Sequence, residues 1–451
     1  MAGSNGTKTL DETHTALLGE VGATGLKQSA GVIREELLPK LQGSKGIAVI
    51  REMVDNDPII GAIMFAIEME LRRVEWSTEP FEQNNPQDQE RADYVESLRL
   101  DMSQTWESFI AEATSMASFG WSYHETVFKY RNGPQLNPGD SSNHNDGLLG
   151  WRKLPIRSQD SLDRWVLDDT GGVLGMQQRS SRARSVVVPI EKSLLFRTTS
   201  KKNSPEGRSL IRSAYRNWWL KKRIEEYEGI GVERDVAGIP KIGVPASLLD
   251  PSANAAQKAA LSAFETIGKN LRNDEQAYVM YPLEYDDKGN KRYDIELMSA
   301  AGSKQFDTGA IIERHSRQIA MSVLADTIML GHERVGSNAL ATTKDEMFQR
   351  SLQALVDEMA SVLNTHGLRR LFYLNGMPID RLPRYVPGDV AQVNLSQLGE
   401  FIWKLSQAGF PFFPDGKLQA QLRRMAKLDE SELDDDESIT QRLLDASADL
   451  V

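Results

Sequence analysis

One long helix is predicted for residues 207–235, GRSLIRSAYRNWWLKKRIEEYEGIGVERD, and its apolar residues change side along its length. The early apolar residues on one face are Ile211, Ala214, Tyr215 and Trp218. The later ones, on a nearly opposite face, are Leu220, Ile224 and Tyr227. An ordinary surface helix keeps one apolar stripe at about 100° per residue. This helix is therefore expected to bury one face early and the other face late.

The bulk composition predicts a soluble intracellular protein of two to four domains. The 451 residues include no cysteine, which excludes disulfides, thiol nucleophiles and cysteine-ligated metals. The polar N-terminus lacks the apolar core of a secretory signal. The most apolar stretch, PIIGAIMFAIEMEL, contains two glutamates and is too short to cross a bilayer, so no membrane association is expected.

The negative charge is concentrated at the C-terminus. Residues 427–451 contain nine acidic and two basic residues, in a chain whose net charge is −11. The rest of the chain shows no broad basic surface of the kind that grips nucleic acid tightly.

Motifs of known enzyme chemistry do not match this sequence. The segment TIGKN at 266–270 lacks the upstream glycine and the final Ser or Thr of a phosphate-binding loop. His124 and His332 are each followed by glutamate but lack the second histidine of a zinc-binding His-Glu-x-x-His motif. Close carboxylates occur at one turn, where aspartate is common anyway: Asp160, Asp163, Asp168 and Asp169. No catalytic residue, metal site or cofactor is predicted.

The order of elements predicts an α+β fold. Residues 151–199 alternate like short strands, and Gly171-Gly172 supplies the positive φ of a hairpin turn. The region 238–300 combines one helix with a few strands. A capping box formed by Thr343 and Glu346 predicts the start of another long helix.

Two further helix starts follow from local chemistry. Asp57-Pro58 predicts an N-cap and a first helical position, and Ser204-Pro205 predicts the same for the long helix described above. A single helix is predicted over 88–117.

Three stretches, in this order, resemble tailed-phage portal proteins, most closely the Mu-like group. The first resembles the passage from the wing into the first stem helix and the clip; it is VVVPIEKSLLFRTTSKKNSPEGRSLIRSAYRNWWLKKRIEEYEGIGVERDVAGIPKIGVP. The second resembles the second stem helix and its exit; it is DTGAIIERHSRQIAMSVLADTIMLG. The third resembles the tunnel loop and the long helix towards the crown; it is GSNALATTKDEMFQRSLQALVDEMASVLNTHGLRRLFYLNG. The order of elements agrees over roughly residues 45–425.

The resemblance implies a portal fold with an α/β wing, a two-helix stem, a small α/β clip, a long spine helix and a helical crown. The implied divisions are a flexible N-terminal arm (1–28), the wing (29–203, with a small β subdomain at 151–199), the first stem helix (204–237), the clip (238–303), the second stem helix (304–329), the tunnel loop (330–343), the spine helix (344–376), the crown (377–426) and an acidic tail (427–451).

It also implies a function without enzymatic activity. A portal is a ring, usually of twelve copies, at one capsid vertex, through which double-stranded DNA is packaged and ejected. The implied partners are other copies of the chain, double-stranded DNA, the terminase large subunit, head–tail adaptor and tail proteins, and the major capsid and scaffold proteins. The implied location is the virion, after assembly in the host cytoplasm.

Four arginines of the first stem helix fall within an arc of about 80°: Arg208, Arg212, Arg216 and Arg223. They could face the DNA phosphates, but the favoured hypothesis pairs them with carboxylates of an adjacent subunit, such as Glu313 or Asp326. Arginines at every level of a channel would hold the duplex through counterion release. Translocation requires a wall that confines DNA without holding it.

The tunnel loop is the predicted site of direct DNA proximity. Its candidate residues are His332, Arg334, Asn338, Thr342, Thr343 and Lys344. Sparse cations among neutral polar groups can touch the backbone transiently.

Several alternatives remain at this stage. The two-faced helix could be sandwiched between two layers of an ordinary monomer, and the loop could be a plain connector. The chain could be a metal-dependent nuclease built around 160–169, or another ring-forming virion component, such as an adaptor or minor capsid protein. The length of the chain argues against an adaptor.

Overall fold

The fold is described from a computed structural model, which covers residues 22–179, 185–237, 239–270, 279–283, 294–298, 307–323, 338–391 and 404. The chain divides into two units, 1–388 and 389–451. The helices and strands described below belong to the first unit. They confirm the mixed α and β content expected from the sequence.

Four helices open the described chain after the short strands β1 (Gln28–Ser29) and β2 (Val32–Ile33). They are α1 (Gly43–Asn56), α2 (Pro58–Arg72), α3 (Pro86–Leu100) and α4 (Trp106–Phe119), with β3 (Trp76–Glu79) between α2 and α3. The predicted start of α2 is confirmed, because the Asp57 carboxylate accepts hydrogen bonds from the backbone N–H groups of Ile59 (3.0 Å) and Ile60 (3.1 Å).

The single helix predicted over 88–117 is wrong, since α3 and α4 are separate helices. Asp101 ends α3 and its carboxylate accepts from the Ser142 hydroxyl (2.7 Å) and the Asn143 N–H (2.8 Å). Thr105 caps α4 by accepting from the Ser108 N–H at 3.2 Å. These side-chain bonds stabilise the break between two segments that share a helical pattern.

Seven strands follow, in three antiparallel groups. They are β4 (Trp121–Glu125), β5 (Val127–Asn132), β6 (Asn145–Lys153), β7 (Leu162–Leu167), β8 (Val173–Arg179), β9 (Ser185–Pro189) and β10 (Ser193–Arg197). β4 pairs with β10, β5 pairs with β6, and β7, β8 and β9 form a meander. The predicted hairpin is therefore confirmed, with Gly171 at φ +93° in its turn, whereas the positive φ predicted for Gly172 is wrong.

The meander and the β4–β10 pair meet in an aromatic core. Trp165 lies edge-on to Trp121, with their ring centroids 5.0 Å apart, and 5.8 Å from Tyr123. Met176 and Val188 complete the contact between neighbouring strands.

Two long helices, α5 (Tyr215–Ala237) and α8 (Thr308–Ser322), pack against each other. α5 is preceded by a 3₁₀ turn at Leu210–Ala214, so the predicted helix start at Ser204-Pro205 is wrong. The physical reason is a close backbone approach: a Cβ on Gly207 would lie 2.1 Å from the Gly120 carbonyl oxygen. Thr198 reinforces it by accepting from the Arg208 N–H at 2.9 Å.

The segment between α5 and α8 contains β11 (Ile239–Val244), α6 (Ala246–Leu249), α7 (Ala255–Asn270), β12 (Val279–Pro282) and β13 (Asp294–Met298). β11 lies centrally, parallel to β12 and antiparallel to β13. Ile242, Val244 and Leu248 form a small core of their own, against which Phe264 of α7 packs.

The last long helix, α9 (Asn338–Val362), continues through a π-helical turn at Leu363–Leu368 into α10 (Arg369–Leu374), and β14 (Arg384–Pro387) then pairs with β3. The predicted capping box at Thr343 and Glu346 is wrong, because α9 has already begun at Asn338. The π turn contains Gly367, and a turn of this kind is a common cause of a bend in a helix.

Candidate functional site

The two-faced helix is the feature that the sequence singled out, and three of the four residues of its predicted early face are buried; the fourth, Tyr215, is partly buried, and Ile211 and Ala214 lie in the 3₁₀ turn before α5. Ile211, Ala214 and Trp218 are at most 5% exposed. Of the later face, Leu220 and Ile224 are partly buried, whereas Tyr227 is 66% exposed. The early face therefore belongs to the core of this chain, and the far end of the later face points to solvent.

α8 covers a second side of α5, next to the buried one. The Nδ1 atom of His315 lies 3.2 Å from the Oδ1 atom of Asn217, and the Thr308 hydroxyl donates to the Glu228 carboxylate. The two helices are therefore antiparallel. Burial holds the pKa of His315 below its ordinary value, which keeps the ring neutral in this contact.

A buried ion pair fixes the middle of α5, and sequence analysis did not find it. Lys221 Nζ lies 2.9 Å from Asp57 Oδ2, and the two side chains are 3% and 4% exposed. Asp57 was identified only as a helix cap, and it performs both roles with its two oxygens. The signal for the pair was Lys221 itself, a lysine between the apolar Trp218 and Ile224 on the inner side of the helix.

The four predicted arginines have different surroundings, and the prediction that all four lie on the first stem helix is wrong: Arg216 and Arg223 lie on α5, Arg212 lies in the 3₁₀ turn, and Arg208 precedes that turn. Arg212 forms a bidentate pair with Glu36 of the same chain, at 2.5 and 2.6 Å. Arg223 lies over the Trp219 ring, 5.6 Å from its centroid, and 3.8 Å from Glu226. Arg208 and Arg216 are exposed.

Glu313, the predicted acceptor for these arginines, lies on α8 and is 3.4 Å from Arg317 of the same helix. Asp326 lies outside the described residues. The contacts between subunits remain a prediction.

The predicted tunnel-loop residues fall into two groups. His332 and Arg334 lie outside the described residues. Asn338, Thr342, Thr343 and Lys344 lie on the first turns of α9, so the second part of the predicted loop is helical.

Three of the four carboxylates of the nuclease alternative have a structural partner, and the fourth, Asp169, is exposed. Asp160 pairs with Arg51, and Asp163 lies 3.1 Å from Arg179. Asp168 closes the hairpin turn by accepting from the Thr170 hydroxyl (2.8 Å) and from the N–H groups of Thr170 (2.9 Å) and Gly172 (2.6 Å), and these bonds lower its pKa. Within the described part of the chain, no group of three or more histidine or acidic side chains is arranged to hold a metal ion.

None of the helices whose residues are described combines the length and apolarity needed to cross a membrane.

Comparison with known proteins identifies the family. The sequence model of the family "Portal protein of Mu bacteriophage" matches residues 47–422. No curated protein matches the chain. Among solved structures, a chain of "Virion of native gene transfer agent (GTA) particle" matches with a TM-score of 0.52 and 12% identity, over 90% of this chain and 97% of that one. A chain of "Neck of empty GTA particle computed with C6 symmetry" matches with a TM-score of 0.52 and 13% identity, over 91% and 98% of the two chains. At this identity the two structures show a shared fold.

Proposed function

Because this chain belongs to the family of Mu bacteriophage portal proteins, we propose that it forms a ring-shaped channel at one capsid vertex, through which double-stranded DNA is packaged and ejected. The ring would contain twelve copies and belong to the virion, after assembly in the host cytoplasm. The cyclic symmetry named for the matched neck particle favours a ring.

The proposal rests mainly on the different surroundings of the three sides of α5. One side is buried in its own chain, a second is covered by α8, and a third carries the exposed residues Arg216, Trp219 and Tyr227. A subunit of a cyclic ring contacts two neighbours through two different surfaces. The third side of α5 is the kind of surface that such a neighbour requires.

The proposed divisions of the portal follow the predicted ones, with changes in the helix bounds. α5 and α8 would be the stem, the β11–β13 region would be the clip, and α9 with α10 would be the spine. The helical crown (377–426) and acidic tail (427–451) remain proposals.

The clip would bind the terminase large subunit first and the adaptor and tail proteins afterwards. Among the described strands, β12 and β13 are the outer ones of their sheet, with β11 between them. An outer strand offers unpaired backbone groups to which a further strand can be added. The major capsid and scaffold proteins would contact the wing.

The oligomeric state tests this proposal directly. Light scattering and negative-stain electron microscopy of the purified chain should show a large annular particle with a central passage. A chain that remains monomeric when concentrated would contradict the channel. Metal-dependent cleavage of plasmid DNA that is lost in Asp168→Asn would instead support the nuclease.

The tunnel loop provides a functional prediction. Replacing Arg334 and Lys344 together with alanine should leave the ring intact and change the amount of DNA packaged or retained, because these cations would touch the DNA backbone rather than another subunit. The measurement is the DNA content of assembled particles, with Arg350→Ala, an exposed position further along α9, as the control. A double variant that cannot form rings would show that these residues are structural.

A further inference from the structure

A cavity of about 550 Å³ lies between β2, α1, the end of α4 and the segment that precedes α5. Apolar side chains form much of its wall, among them Ile33, Ile47, Phe119 and Trp121. Its volume is within the range of sites that hold a ligand or an inserted side chain.

One carboxylate on this wall has no counter-ion in the part of the chain that the structure describes. Glu206 accepts a hydrogen bond from the Trp165 indole N–H at 3.0 Å, and burial raises its pKa to about 7. A partly buried carboxylate is costly without a cation beside it. Among the described residues no lysine, arginine or histidine lies within 4.0 Å of it. The Ser209 hydroxyl, also on the wall, is buried without a hydrogen-bond partner in the described structure.

The other charged groups of the cavity do not neutralise Glu206. Lys202 is paired with Glu35 at 3.0 Å, and Arg212 is paired with Glu36. Lys201 and Arg208 line the cavity with exposed side chains. The cavity as a whole is therefore not acidic, but around Glu206 it combines an apolar wall with a carboxylate that no described cation reaches, which suits a cation carried on an apolar stem.

A second concavity, of about 310 Å³, lies on the other side of α1. Val49 and Trp219 line it, and Lys222 lies 5.7 Å from the centroid of the Trp218 ring. Leu37, on the wall of the larger cavity, is 88% exposed. We call the two concavities, α1 between them and Leu37 the α1 flank. With two adjacent concavities and an exposed leucine, the α1 flank is larger than the binding site of a small ligand, and its size suits a protein surface.

We propose that the α1 flank docks a second copy of this chain, which inserts a basic side chain into the larger cavity and pairs its charge with Glu206. This inference rests on the ring proposed above, in which each copy offers this flank to a different surface of an identical neighbour. The chain has a suitable donor on another surface: Arg314 of α8 is exposed and forms no ion pair in the described part of the chain. Lysine and arginine can bury an aliphatic stem against apolar surface while the charged group reaches a polar partner.

The first test compares Glu206→Gln with the control Glu90→Gln, which removes an exposed carboxylate from α3. At pH 8 the Glu206→Gln ring should dissociate at a subunit concentration at least about tenfold higher than the control ring, as measured by light scattering on dilution, because the inserted cation has lost its partner. The thermal midpoint of the dissociated Glu206→Gln subunit should be unchanged or higher, since an unpaired carboxylate has been removed. A purely structural Glu206 would give a lower midpoint instead.

The pH dependence gives a second readout. In the separate subunit, the raised pKa means that the contribution of Glu206 to stability is lost as pH rises through about 7. In the ring, pairing with a cation favours the ionised form of Glu206. The wild-type ring should therefore dissociate at a lower concentration than the Glu206→Gln ring at pH 8, and this difference should disappear as the pH falls below about 7. Comparing wild type with Glu206→Gln at each pH separates the titration of Glu206 from that of the other charged groups, because both proteins contain them. The other charged groups that face the cavity are Glu35, Glu36, Lys201, Lys202, Arg208 and Arg212.

A third test does not depend on changing Glu206. The chain has no natural cysteine, so Leu37→Cys can be labelled uniquely with a benzophenone maleimide. Irradiation of the assembled ring should join Leu37→Cys to a peptide of another copy that contains the inserted lysine or arginine. Two results would overturn this inference while leaving the proposed ring in place. The first is a label that reacts only within its own chain, and the second is dissociation of the Glu206→Gln and Glu90→Gln rings at the same concentration. A wild-type chain that forms no ring would overturn the proposed function as well.

Discussion

Replacing Lys221 with alanine is expected to lower the free energy of unfolding of the subunit by about 3–5 kcal/mol. The substitution leaves the carboxylate of Asp57 buried without its counter-ion, at the point where that carboxylate also caps α2. The measurement is urea unfolding of the dissociated subunit, followed by circular dichroism. The position matters for assembly too, because this pair holds the middle of α5 against α2.

Two further variants show whether the loss comes from the unpaired charge. Lys258→Ala removes an exposed lysine from α7 and should change the free energy of unfolding by no more than about 0.5 kcal/mol. Lys221→Met combined with Asp57→Ser should recover most of the loss, because serine keeps the helix cap and the pair is replaced without leaving a buried charge. A double variant as unstable as Lys221→Ala would assign the loss to packing.

Local patterns predicted those parts of the fold that depend on neighbouring residues. The Asp57-Pro58 helix start and the Gly171 turn follow from side chains that bond to their own backbone, so they could be found in the sequence. The start of α5 could not be, although Ser204-Pro205 has the chemistry of a helix start. The backbone of Gly207 packs against that of Gly120, which is distant in sequence, and this contact keeps the preceding segment out of the helix.

For the candidate site, as for the fold, the sequence predicted local features but not contacts between distant segments. The periodicity of α5 correctly indicated a helix with more than one contact surface, because periodicity records burial. It could not assign partners, so Arg212, placed in the predicted inter-subunit set, is paired with Glu36 of its own chain. Glu206 was missed because a single glutamate near a helix start is ordinary in sequence. Its significance comes from Trp165, which folding brings to it from another segment.

Replacing Trp165 with alanine should lower the free energy of unfolding by about 3–5 kcal/mol. Its side chain is 2% exposed and lies against Trp121 and Tyr123, so truncation would leave a large cavity in the core of the β meander. Trp165→Phe keeps much of the packing but removes the N–H that reaches Glu206, and should cost about 1–3 kcal/mol. Urea unfolding of the dissociated subunits measures both losses, and a Trp165→Phe subunit as stable as wild type would mean that the hydrogen bond contributes nothing.

A second tryptophan separates the stability of the subunit from its assembly. Trp219 is 39% exposed and lies on the α1 flank, where its described contact is the Arg223 guanidinium. Trp219→Ala should therefore lower the free energy of unfolding by no more than about 1 kcal/mol, the typical contribution of an exposed cation–π contact. If a neighbouring copy covers this flank, the same variant should raise the concentration at which the ring dissociates by about tenfold or more, as burial of an aromatic side chain at an interface would predict. Trp219→Ala rings as stable as wild type would place the subunit contact elsewhere, because a tryptophan that stabilises neither the subunit nor the ring has no structural role at this surface.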